Sequence, residues 1–149
     1  MSDDDREPSG RGRAGGGPAG GPDEHDRLLA RYEAVRAEIA LRAVARDCAT
    51  SEALADQRAA HRAETRAWQH LSELREARRA APGDLSLVAA ADQVEAAWET
   101  ARDAAEEINR KASDVARRAL EESEADSRLL HEMGLRVRAA RLASRRPGI

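Results

Sequence analysis

Arg78-Arg79-Ala80-Ala81-Pro82-Gly83-Asp84-Leu85-Ser86-Leu87 decides how this chain folds. Proline and glycine are the strongest helix breakers. Upstream of Pro82, residues 23–81 contain neither. Downstream of Gly83, residues 84–146 contain no proline and a single glycine, Gly134. The pattern predicts two helices, over about 24–81 and 85–145, joined by a turn at 82–84. At a rise of ~1.5 Å per residue, each helix spans about 90 Å. Arg78 and Arg79 lie where the negative end of a helix dipole favours cations. Asp23 is expected as the cap before the first helix, and Asp84 or Ser86 as the cap of the second.

The apolar residues outward from this corner recur at alternating steps of three and four. In the second segment Leu87, Val94, Trp98, Ile108 and Val115 share one seam with Ala91, Ala101, Ala105, Ala112 and Ala119. That is the period at which two helices stay in contact along their length. In the first segment the same steps meet Leu28, Tyr32, Val35 and Ile39, then Arg42 and Arg46. They continue through Ala49, Ala53, Asp56, Ala60, Ala63, Ala67, His70 and Leu74. The fold expected is all-α: a long antiparallel two-helix hairpin of coiled-coil character. Trp68, Trp98, Tyr32, Ile39, Ile108 and Val115 are expected to pack it together. One soft point is Asp47-Cys48-Ala49-Thr50-Ser51, where two cap-forming residues meet a weak seam and invite a kink.

A tight reversal sets Trp98 beside Ala67 and Trp68, and Tyr32 opposite Met133. It also brings Arg42 and Arg46 to Glu122, with Asp126 one layer on. Flanking charges agree with this register. Residues 92–107 hold six acids and one Arg, against six Arg and three Glu over 58–79. Arg110, Lys111, Arg117 and Arg118 would face Asp47, Glu52 and Asp56, and Arg136–Arg146 would face Asp23, Glu24 and Asp26. A parallel self-pairing would set the acidic block against itself, so the antiparallel hairpin is preferred.

Composition supports long helices over a filled globular core. The 149 residues include 33 Ala, only Tyr32, Trp68 and Trp98 as aromatics, and no Phe. Large side chains normally supply buried area. Residues 1–22 hold 7 of the 10 Gly and 3 of the 5 Pro, and read as a disordered tail. Residues 147–149 form a short end after the second helix. The net charge of −3 does not match the whole chain to nucleic acid or acidic lipid. No apolar run approaches a membrane span, so no membrane insertion is expected. The acidic start, Met1-Ser2-Asp3-Asp4-Asp5, lacks the apolar stretch of a secretory leader, and a cytoplasmic protein is expected.

No constellation for catalysis emerges. His25, His61, His70 and His131 lack the Glu-x-x-His spacing of a bundle metal site, and His131-Glu132-Met133-Gly134 lacks the second His of a metalloprotease helix. Cys48, the sole cysteine, has no local His and reads as a small hydrophobe. Gly10-Arg-Gly12-Arg-Ala-Gly15 spells a dinucleotide-binding fingerprint but follows no strand. No cofactor, metal or small-molecule substrate is expected, and the chain is not expected to be an enzyme.

What remains are surfaces. Leu41, Val44 and Cys48 on the first helix, and Leu120, Leu130 and Val137 on the second, form apolar stripes off the seam. Such stripes mark partner surfaces. The expected function is a helical interaction or scaffolding protein that pairs with itself as a homodimer or with another helical protein. The first alternative is association with nucleic acid through Arg136, Arg138, Arg141, Arg145 and Arg146. The second is a leaderless exported hairpin, although the turn here is not the Trp-x-Gly of one such exported family.

Overall fold

The computed structural model describes residues 22–145. The expected tail, apart from Pro22, lies outside the described residues, and so do the fingerprint letters at 10–15, Arg146 and the end at 147–149. Two helices account for the rest. Helix α1 runs Pro22–Ala80 over 59 residues and α2 runs Leu85–Arg145 over 61. They pack against each other as an antiparallel hairpin.

Helix α1 begins one residue before Asp23, so Asp23 is not its cap. Pro22 opens the helix, where its fixed φ is suited to the first turn and its missing N–H costs nothing. Asp23 and Glu24 fall inside that first turn, against the positive end of the dipole. The helix passes through 47–51 without a break. Thr50 and Ala53 face partly inward there, and continuous packing outweighs weak local propensity.

The corner is compact. The amide of Ala81 donates to the carbonyl of Ala77 at 3.0 Å, which closes the last turn of α1. Asp84 N then donates to the carbonyl of Ala81 at 3.1 Å across Pro82-Gly83. Proline at the second turn position holds φ near the value such a turn needs. Asp84, not Ser86, is the cap of α2. Its Oδ1 accepts from the Ser86 amide at 3.0 Å and from the Ser86 hydroxyl at 2.6 Å. Those bonds favour the charged form and hold the Asp84 carboxyl below its ordinary value.

The seam is real, but its residues drift. Among the described residues the buried side chains are Leu71, Ala91, Ala105 and Ala112. The three alanines belong to the expected seam of α2. Leu71, the most enclosed at 1% exposure, replaces His70, which faces solvent. The same slide occurs upstream: Ala43, Thr50, Gln57 and Glu64 turn partly inward, while Arg42, Ala49, Asp56 and Ala63 stay exposed. A straight helix of 3.6 residues per turn drifts by ~20° per heptad from a strict repeat of 3.5. After Ile39, one of the two seam positions in each heptad therefore passes to the next residue.

Helix α2 makes the same correction near its end. Glu122 and Leu129 are exposed, while Leu130 and Val137 are half-buried. Leu130 and Val137 were expected on a partner surface. The drift carries both toward α1 instead, and Val137 shares a cleft with Leu29 and Tyr32.

Candidate functional site

The quarter of the hairpin nearest the turn holds a packing centre. The rings of Trp68 and Trp98 meet with centroids 5.1 Å apart, tilted by 54°. Arg75 lies over Trp68 at 5.7 Å and Arg102 over Trp98 at 5.0 Å. Guanidinium groups over indole faces are attracted by the ring quadrupole. Arg75 also reaches Glu95 across the helices at 3.3 Å. Tyr32, Ile39, Trp98, Ile108 and Val115 are half-buried, whereas Trp68 is 44% exposed and closes the packing from outside.

Polar contacts fix the register. Arg42 donates to Asp126 Oδ1 at 2.9 Å and Arg46 to Asp126 Oδ2 at 2.8 Å, with Glu122 3.9 Å from Arg46. Gln57 Nε2 donates to Asn109 Oδ1 at 3.1 Å. Bonds from Arg46 first, then Arg42, hold the Asp126 carboxyl below its ordinary value.

The wider charge matching is only partly realised as ion pairs. Arg110 pairs with Glu107, and Arg117 with Asp114 at 3.1 Å, both within α2. Neither reaches Asp47, Glu52 or Asp56. Neighbours three residues apart on a helix are already within reach, so local pairing wins over a contact across the seam. Glu52, Asp56 and Lys111 instead line one cleft of about 350 Å³ beside Ile108 and Val115.

Two surfaces stand open. On α1, Leu41 is 74% exposed and Val44 is 61% exposed, with the exposed Cys48 continuing the stripe at helical spacing. Leu120 on α2 is equally open. Leu135 and Leu142 are also exposed and were missed in the sequence. The Leu135-x-x-x-Ala139-x-x-Leu142 spacing, which repeats the seam period on another face, was the available signal.

The second surface is basic. Arg136, Arg138, Arg141 and Arg145 are exposed, and among the described residues none has a carboxylate within ion-pair distance. Their expected partners, Asp23, Glu24 and Asp26, do not reach them, and Asp26 is bonded to His25 at 3.3 Å. Beside Arg138 and Arg141 lies a cleft of about 540 Å³ floored by Leu29, Tyr32 and Val137. Arg136 borders a smaller one with Leu28, Leu129 and Met133.

Among the described residues, no three His, Cys, Asp or Glu side chains converge as a metal cradle, and no helix is long and apolar enough to cross a membrane. No family model, curated protein or solved structure matches the chain.

Proposed function

We propose that this chain is a non-enzymatic helical scaffold that offers the Leu41–Val44–Cys48 stripe of α1 to a helical protein partner, a second copy of itself included. The observation that carries this is the exposure of Leu41 and Val44 at 74% and 61% in a hairpin with so few buried side chains. A helix that leaves large aliphatic groups in water gains most by covering them. The rest of the rod supplies length and charge. Its register is fixed internally by Asp126, so the outer face is presented in one orientation.

Sedimentation equilibrium over a range of concentrations tests self-pairing. The native chain is expected above monomer mass, with Leu41→Ser/Val44→Ser at monomer mass. A native monomer at every concentration overturns the homodimer. Affinity capture after nuclease treatment, with native and doubly substituted chains side by side, then tests a different protein partner.

A second reading has its own support. Arg138, Arg141 and Arg145 have no carboxylate partner among the described residues, and the set suits a polyanion such as nucleic acid. Binding to an oligonucleotide that falls steeply with salt, and is lost in Arg138→Gln/Arg141→Gln, would favour it.

A further inference from the structure

We propose that the partner covering the Leu41–Val44 stripe is a second copy of this chain, laid antiparallel on α1. The twofold axis lies level with Arg42 and Ala43, and Arg31 of each copy sits beside Glu52 of the other. This inference rests on the scaffold reading and deepens it by naming the partner and its orientation.

The stripe is longer than its two large residues. From Leu41 and Val44, alternating steps of four and three meet no charged residue between Ala30 and Ala55. Every residue on those steps is exposed. In a chain with 36% charged residues, an outward helix face normally carries charge. The run covers about 38 Å at ~1.5 Å per residue. Its period is that of a helix–helix seam. Tyr32, Ile39 and Arg46 turn inward from the opposite side of α1, so a second copy can lie on the stripe without displacing α2.

The stripe is self-complementary in size. Leu41 and Val44 sit at its centre, Ala37 and Cys48 lie next on either side, and alanine or serine fills both ends. An antiparallel copy therefore sets Leu41 on Val44 twice and small residues on small ones, which is the isologous contact of a twofold dimer. The run stops at Arg27 and Arg58, which face each other in this register and close the interface at both ends.

The flanks choose the orientation. Residues beside a helical seam set partner and direction through their charges. In the antiparallel register Arg31 meets Glu52 of the other copy, twice, and no two flanking acids meet. Among the described residues neither Arg31 nor Glu52 forms an ion pair within the chain, so both are available. A parallel copy would set Glu33 against Glu38 and Asp47 against Glu52. Sliding the antiparallel copy by one heptad would set Glu38 against its own counterpart or against Glu52. Facing like charges disfavour each of those arrangements.

Sedimentation equilibrium and spin-label distances on the full chain test this. Arg31→Glu alone and Glu52→Arg alone should each raise the dimer dissociation constant by on the order of tenfold, since two attractive contacts become repulsive. An equal mixture of the two variants should regain the native constant, because each chain then offers the charge the other needs. With Cys48→Ala as background, labels on Ala59→Cys should lie about 50 Å apart in the dimer, from an axial offset of about 33 residues at ~1.5 Å each. Labels within about 20 Å would mean parallel copies, as packed helix axes lie ~8–10 Å apart, and would overturn the proposal while the stripe stayed the contact. A mixture that does not regain the native constant overturns it too. A chain that stays monomeric, yet captures a different protein only with Leu41 and Val44 intact, overturns this inference and not the scaffold reading. A dimer unchanged in Leu41→Ser/Val44→Ser overturns both.

Discussion

Arg46 and Asp126 meet across the hairpin at 2.8 Å with side chains only 12% and 14% exposed, the most enclosed charged pair that joins the two helices. Arg42 bonds the other oxygen of the same carboxylate at 2.9 Å. One acid thus takes two guanidinium groups one helical turn apart, and a slide of either helix by a turn would strand it. The pair is a register lock set into an otherwise small and apolar seam.

Asp126 should make stability depend on pH. Its folded-state pKa lies below the ordinary 3.8 because Arg46 and Arg42 bond the charged form. The folded chain then binds fewer protons than the unfolded chain between the two values, so stability rises with pH there. The contribution is complete above about pH 5 and is lost as pH falls through the folded-state value. Urea midpoints for native and Asp126→Asn proteins should differ by a constant amount near neutrality and converge in acid. A constant gap down to the lowest pH would show that Asp126 is not stabilised by its charge.

Leu71 should dominate the energetics of α1. Its side chain is 1% exposed, whereas Leu41 is 74% exposed. Leu71→Ala is expected to cost about 2–5 kcal/mol, through lost burial and the cavity left among neighbours. Leu41→Ala in the monomer is expected to change stability by no more than about 0.5 kcal/mol. Chemical denaturation of both variants at low protein concentration checks the contrast. Equal losses would place Leu41 inside the molecule.

The contrast also shows what was legible in the chain. Gly and Pro punctuation gave two helices and their corner, because these residues act locally on the backbone. Opposed polar interruptions gave the register, since Arg42 and Arg46 on an apolar seam are best matched by an acid across it, here Asp126. Leu71 was missed in favour of His70, and Leu130 and Val137 were set on a partner surface, for a common reason. A strict heptad accumulates angular error along helices of about 60 residues, and only packing shows where the correction falls. The surfaces were harder still. Whether Arg138 pairs with Asp26 or leaves it to His25 turns on side-chain reach, which residue order does not encode.

Trp68 and Trp98 should be energetically coupled. Their rings touch at 5.1 Å, each also covered by a guanidinium. Aromatic pairs of this geometry contribute about 0.5–1.5 kcal/mol beyond burial. A double-mutant cycle with Trp68→Ala and Trp98→Ala should return a coupling of that size. Simple additivity would mean that each ring packs on its own surroundings and the pair is incidental.

Gly134→Ala separates the needs of the fold from those of the cleft. The added methyl would sit 3.9 Å from Tyr32 Cε2 and meet no other side chain within contact range. Helix propensity then acts unopposed, and the variant should be more stable by about 0.5–1 kcal/mol. The urea midpoint should rise with an unchanged slope, since the surface exposed on unfolding is almost the same. Gly134→Leu adds volume that the 540 Å³ cleft can receive only where Tyr32, Arg138 and Arg141 converge. It should keep the helical circular dichroism of the native chain while it fills that cleft. A fall in the midpoint of Gly134→Ala would mean that glycine serves close packing after all.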